Sequence, residues 1–324
     1  MLSAIFILLI GFIVLIVGGE LLVRGAVRIA ERAGMSQLLI GLTIVGFGTS
    51  APELVASVEA ARAGSPGIAW GNIVGSNLAN SLLILGAASV ILPMAVPLGP
   101  LWRDGGLALA MTVVLWFVAQ NGGITVAIGA GFIAILLGYL IYAYKAEKTE
   151  PVGASAVHEK AVSLEMTDTQ LHLEQPLWRS ALVLLGGIIL IVLGGRWLVS
   201  GAVDLATMIG MSEAVIGLTV IAIGTSLPEM VTSIIAAYKG ASAVALGNVL
   251  GSNIFNLLLI GGVTAVIAPG TIPTEIANFG LPLLIAASIL LLIFAATGRK
   301  ISRWEGLVLL AAYLGQLVYN LVAV

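Results

Sequence analysis

The chain has 324 residues, of which 60% are hydrophobic and 9% charged, with a formal net charge of −2 and no cysteine. A soluble domain carries roughly 25% charge, so this much apolar side chain cannot fit one soluble core and lipid must cover part of it. The absence of cysteine excludes disulfides, thiolate metal sites and cysteine nucleophiles, and with no basic patch nothing points to nucleic acid as a partner.

The apolar runs are long and continuous, as membrane helices of about 20 residues require. They lack the ten-residue alternation of a membrane β-barrel. Forty glycines suit tightly packed or broken helices. The predicted spans in chain order are 3–23, 37–61, 68–93, 104–120 and 124–144, then 180–199, 212–237, 242–268, 276–297 and 304–323. The N-terminus is apolar from Met1 and has no basic flank, so 3–23 reads as a first span and not as a cleaved signal peptide.

A repeat organises these spans. Residues 41–86 and 217–262 align without a gap at an offset of 176, with 24 of 46 positions identical. At the same offset Gly18-Gly19-Glu20 faces Gly194-Gly195-Arg196. Each half holds five helices, so the second half enters the membrane from the opposite side. The expected fold is an all-α membrane protein of ten transmembrane helices in two inverted five-helix repeats, with helices broken at an ion site. The first repeat is 1–144, a linker is 145–179, and the second repeat is 180–324.

Of the 14 basic residues, all but Arg62 and Arg196 fall on one side if the N-terminus is outside. By the positive-inside rule both termini then face out and the linker is cytoplasmic. The linker is acidic and carries His158 and His172. It lacks the spacing of an EF-hand loop and reads as a solvated connection.

Each half contains one carboxylate in an otherwise apolar stretch, in Gly48-Thr49-Ser50-Ala51-Pro52-Glu53 and Gly224-Thr225-Ser226-Leu227-Pro228-Glu229. Ionisable groups at membrane depth are costly and point to function. Proline removes a helix donor and crowds the preceding turn, so each motif should interrupt its helix. Downstream, Ser76 and Asn80 share a helix face, as do Ser252 and Asn256. If these helices cross, two carboxylates, hydroxyls and amides converge. An all-oxygen set without thiolate or imidazole suits hard cations such as Na⁺ or Ca²⁺. The plainer reading of Ser50-x-x-Glu53 is a capping box, but capping needs no buried charge and leaves the Ser/Asn faces unexplained. Asn77 and Asn253 lie about 100° from those faces and read as bridges between helices. Glu59 with Arg62, and Glu20, Asp204 and Arg196 near helix ends, read as interfacial or gating groups.

The paired motifs closely resemble the two α-repeats of the sodium/calcium exchanger family, within the cation/calcium antiporter superfamily, over essentially the whole chain. The short linker resembles the prokaryotic members. That resemblance implies electrogenic exchange of several Na⁺ for one Ca²⁺, usually extruding Ca²⁺. Its ion-binding positions fall on Thr49, Ser50, Glu53, Ser76 and Asn80, and on Thr225, Ser226, Glu229, Ser252 and Asn256. Gly46 and Ala222 are candidate backbone ligands. Some relatives, including potassium-dependent ones, carry aspartate where this chain has Asn256, so no K⁺ requirement is expected. The expected mechanism is alternating access, with helices 1 and 6 moving against a core of helices 2, 3, 7 and 8. The expected setting is a prokaryotic inner membrane, with the lipid bilayer and the transported Na⁺ and Ca²⁺ as partners and no cofactor. The competing readings are H⁺/Ca²⁺ exchange on the same fold, a passive channel, and an intramembrane enzyme using the two glutamates as acid and base, which no nucleophile or phosphate loop supports.

Overall fold

The computed structural model describes residues 2–32, 50–149, 176–238, 240 and 242–322. The first half comprises α1 (Leu2–Arg32), α2 (Ala51–Arg62), α3 (Pro66–Ile91), the short strand β1 (Met94–Ala95), α4 (Leu98–Gln120) and α5 (Val126–Thr149). The second half comprises α6 (Leu177–Ile209), α7 (Glu213–Thr225), α8 (Leu227–Tyr238), α9 (242–267), α10 (276–296), β2 (Lys300–Ile301) and α11 (Arg303–Val322). Among the described residues, seven helices are long and apolar enough to cross a membrane, or eight counting α7 and α8 as one bent span. The chain is therefore a multi-pass integral membrane protein. α11 occupies the tenth predicted span, and α2 is the later part of the second, whose residues 37–49 lie outside the described region, as does most of the linker.

α1 and α6 are longer than the predicted 3–23 and 180–199, at 31 and 33 residues. At 1.5 Å per residue they span about 46 and 50 Å, more than the roughly 30 Å of hydrocarbon, so each must tilt or protrude. Their length follows from mutual packing along most of both helices. Glycines recur every seven residues at Gly11, Gly18 and Gly25 in α1 and at Gly187, Gly194 and Gly201 in α6. A Cβ at Gly18 would strike the backbone of Ile191, and one at Gly194 would strike the backbone of Leu15. As the α1 position rises, the α6 partner falls by the same step, from Gly11 against Leu198 to Gly25 against Leu184. The pair is thus antiparallel and in register, with backbones close enough to maximise dispersion contact. Phe6, Ile13, Leu182 and Ile189 are left exposed towards lipid.

The centre of the molecule is α3 and α9. Their apolar windows are 83% and 78% buried, against 33% for α1 and α6. α2 packs on α3, α8 packs on α9, and α7 packs on α3 across the halves. A second, smaller apolar cluster joins this core to the α1/α6 pair, with Leu15, Ile191 and Leu198 meeting Ala56, Ala60 and Ile221.

The halves exchange their last helices. α11 packs on α3, with Gly306 against Gly86 and Ser89, and α5 packs on α9, with Gly129 against Gly262. Two short backbone clasps accompany this exchange. Met94 and Ala95 pair antiparallel with Ile301 and Lys300, and Ile124 bridges Gly270 with N···O distances of 2.8 and 2.9 Å. The repeat offset of 176 carries 94 onto 270 and 124 onto 300, so the second clasp stands at the place of the first with the halves interchanged, one residue out of its register. At Gly123 (φ 93°) a side chain would collide with the Gly270 carbonyl, so the clasp requires glycine there.

Enlarging Gly194 should wedge α1 from α6, because overpacking costs about 1–3 kcal/mol. Gly194→Leu is expected to lower the melting temperature of the detergent-solubilised protein by several degrees. Gly186→Leu, where a Cβ meets nothing within 4 Å, should leave it unchanged or raise it slightly. Equal effects in a fluorescence melting assay would refute the packing role.

Candidate functional site

The second proline motif interrupts its helix at a serine, and in the first motif the matching serine, with the same backbone angles, precedes the helix that is described. Ser226, between α7 and α8, has φ −87° and ψ 6°, and Ser50, just before α2, has φ −88° and ψ 7°. The two halves of the seventh span bend by 50° there. Pro228 has no N–H for the carbonyl four residues back, at Gly224, which is met instead by a backbone N–H of the cap at the break. Glu53 and Glu229 stand in the first turn after the break. The positive end of the helix dipole offsets part of each charge there. Each is 2% exposed. Ser50 does not cap the helix it precedes, so capping alone does not account for the motif.

The two motifs meet across the halves. The Ser226 hydroxyl donates to Glu53 Oε1 at 3.4 Å. Thr225 Oγ1 lies 3.1 Å from Asn72 Oδ1, which also accepts from Ser76 at 3.4 Å. Ser76, Asn80, Thr225, Ser252 and Asn256 are all buried, and so are Ser50 and Ser226. The Ala222 carbonyl still accepts from the Ser226 amide at 3.1 Å. Thr49 and Gly46 lie outside the described residues. Among the described residues no three His, Asp or Glu side chains gather, so the site's negative charge comes from the two glutamates amid neutral oxygens.

Sequence reasoning missed Asn72 and Asn248. Asn72 Nδ2 donates to the Glu53 carbonyl at 3.2 Å and to Ser57 Oγ at 2.9 Å. Asn248 repeats this on the Glu229 carbonyl at 3.2 Å and Ser233 Oγ at 2.7 Å, with Thr232 Oγ1 at 2.9 Å. Each asparagine ties the glutamate-bearing half-helix to the next span at the same point. The signal was present, since each asparagine lies four residues before Ser76 or Ser252 and so on the same helix face, but the i, i+4 series was followed only downstream of the serines. The π-helical turns Ala79–Ile84 and Asn256–Ile260 were also not foreseen. Such turns often mark functional sites, and these begin beside or at the two candidate asparagines.

α1 lies over both breaks. Gly19 faces the Pro52 ring, where a Cβ would come within 3.2 Å. Any side chain at Gly224 would overlap the half-buried Phe12 ring.

The model of the family described as "sodium/calcium exchanger protein" matches residues 3–145 and 179–322. This chain belongs to the sodium/calcium exchanger family. It is 37% identical to the putative antiporter CaxA of Alkalimonas amylolytica, over 97% of this chain and 98% of that one. It is 35% identical to the sodium/calcium exchanger MaX1 of Methanosarcina acetivorans, over 96% and 97%. The structure superposes on the sodium-calcium exchanger NCX_Mj, soaked with Na⁺ and Sr²⁺, with a TM-score of 0.63 and 29% identity over 97% of each chain.

In this exchanger-family chain the charged groups read from the sequence as interfacial form ion pairs. Glu59 lies 3.9 Å from Arg62, as expected, but also 3.3 Å from Arg196 of α6. Glu20, which the repeat alignment sets opposite Arg196, pairs with Arg24 in its own helix. Register within α1 explains this, since Arg24 is one turn away.

Two carboxylates buried among neutral oxygens destabilise the ion-free protein. Glu229→Gln keeps the shape and removes one charge. In metal-free, Na⁺-free buffer it is expected to raise the melting temperature by about 2–4 °C, which corresponds to about 1–2 kcal/mol. A lowered melting point would mean that the carboxylate is a structural prop.

Proposed function

We propose that the chain is a secondary antiporter that exchanges Na⁺ for Ca²⁺ by alternating access. The observation that carries this reading is the pair of buried carboxylates, Glu53 and Glu229, behind the breaks of two interlocked half-sites. Their two charges match one Ca²⁺, and Ca²⁺ takes six to eight oxygens at roughly 2.3–2.6 Å. The proposed ligands are Glu53 and Glu229 with Thr49, Ser50, Ser76 and Asn80 of the first half and Thr225, Ser226, Ser252 and Asn256 of the second. Several Na⁺ ions distribute over the same oxygens, so occupancy by one cation excludes the other and couples the two fluxes.

The moving part is the α1/α6 pair. Its continuous glycine seam makes it one body, and it touches the core through the smaller apolar cluster and at the proline breaks. Rigid motion of such a pair about a fixed site is the usual logic of inverted repeats. With several Na⁺ exchanged for one Ca²⁺, the cycle moves net charge and is driven by voltage, at about 2.3 kcal/mol per charge per 100 mV. The physiological direction is Ca²⁺ extrusion from a prokaryotic cell across its inner membrane. Repeats 1–144 and 180–324 flank a cytoplasmic linker, and both termini face out. With Asn256 in place of a third carboxylate, transport needs no K⁺.

The test is radioactive Ca²⁺ uptake into Na⁺-loaded proteoliposomes diluted into Na⁺-free medium. Uptake is expected to be rapid with wild type and to persist when K⁺ is replaced by choline. It should accelerate under an inside-positive potential and fall to the level of empty liposomes in Glu53→Gln and Glu229→Gln. Uptake driven by a pH gradient without Na⁺ would reassign the counter-ion to H⁺, and flux without any counter-gradient would make the protein a channel.

A further inference from the structure

The two halves are identical at the sequence Gly-Ser-Asn-x-x-Asn, yet the structure treats their asparagines differently. In the first half, Asn80 Nδ2 donates to Asn253 Oδ1 of the opposite half at 3.1 Å. Asn253 is itself fixed, donating from Nδ2 to Ser81 Oγ at 2.9 Å. The N–H end of the Asn80 amide is thereby engaged, and Asn80 Oδ1, fully buried, accepts from no protein group. In the second half the corresponding arrangement would be Asn77 accepting from Asn256. It does not form. Asn77 Nδ2 turns back to its own helix, donating to the Ile73 carbonyl at 2.6 Å. Both ends of the Asn256 amide are buried and lack a protein partner.

An amide ligates a cation only through its oxygen, because the N–H end repels it. Fixing which end faces the ion therefore sets the ligand's value before the ion arrives. We infer that Asn253 is a positioning residue that holds the Asn80 oxygen towards the cation, so that Asn80 is a preset ligand and Asn256 an adjustable one. This rests on the exchanger reading above and deepens it. The half-sites contribute unequally to affinity although the motif is identical, because Ser81, which fixes Asn253, is matched in the other half by Leu257, which offers Asn77 no hydroxyl. Asn253 acts through Asn80 and touches no ion itself. Loss of a group that orients a metal ligand typically costs about 10–100-fold in affinity.

The test is equilibrium binding of radioactive Ca²⁺ to the purified full-length chain in detergent, with size-exclusion profiles as the folding check. Asn253→Leu is expected to weaken Ca²⁺ by at least about tenfold. Asn77→Leu, the same change in the other half, should alter it by less than about twofold, because the Asn77 amide bonds within its own helix. In an Asn80→Ala background, Asn253→Leu should add almost nothing, as contacting residues in one network are non-additive. Asn253→Asp keeps the acceptor for Asn80, with the Ser81 hydroxyl turning to donate, and should bind at wild-type strength or tighter. Ser81→Ala, which loosens Asn253 with minimal risk to folding, should weaken binding a few-fold. Equal losses for Asn77→Leu and Asn253→Leu, or additive losses with Asn80→Ala, would overturn the inference. If Asn253→Leu does not fold, Asn253→Asp and Ser81→Ala decide it: weaker binding in the former or unchanged binding in the latter overturns it. Wild-type protein that binds no Ca²⁺ would instead bring down the exchanger reading and this inference with it.

Discussion

Two carboxylates at membrane depth are the constraint on which the rest of this structure depends. An isolated charge is expensive in hydrocarbon, and here two are enclosed, at 2% exposure each. The protein offsets that expense with several weak terms. Each glutamate sits at the start of a half-helix, where the first-turn N–H groups and the helix dipole favour negative charge. Hydroxyls and amides from both halves surround the pair. What remains unbalanced is the net negative charge, which the cation of the proposed function would balance. The broken helices, the central position of α3 and α9, and the interlocking of the halves all follow from the need to surround those two groups with oxygen while excluding lipid.

The packing divides the molecule into a part that holds the site and a part that covers it. α3 and α9 are enclosed on nearly all sides, and α2 and α8 are tied to them through Asn72 and Asn248. α1 and α6 touch each other along most of their length through glycine. They meet the core over a smaller area, at Pro52, Gly224 and the Leu15 cluster. A tight internal seam and a modest outer contact are what the proposed rigid-body motion needs. The exchange of α5 and α11 between halves, closed by two backbone clasps, resists separation of the halves. The Glu59–Arg196 pair adds a polar contact between α6 and α2. As a partly exposed ion pair it contributes little to holding them together.

Much of this was legible in the chain itself. The hydropathy, the 176-residue offset and the two Gly-Thr-Ser-x-Pro-Glu motifs determined an inverted-repeat membrane protein with broken helices, because lipid permits few backbone solutions and proline breaks a helix wherever it falls inside one. The residue types pointed to an all-oxygen site built on Glu53 and Glu229, and the structure buries both carboxylates. Tertiary structure decided what depends on direction and register. It showed that α1 and α6 align glycine to backbone, and that the last helices exchange partners. It also brought in Asn72 and Asn248, which stand one turn before Ser76 and Ser252 on the same face; that they reach the Glu53 and Glu229 carbonyls of a neighbouring helix is not written in that periodicity. The Gly-Ser-Asn-x-x-Asn motif is identical around Asn77 and Asn253, and the packed structure shows which neighbour separates them. Asn253 reaches Ser81 of the opposite half, whereas the repeat sets Leu257 where Asn77 would need that hydroxyl, and Asn77 turns back to its own helix. The difference is present in the sequence, but only the packing brings Ser81 to Asn253 and shows that it matters.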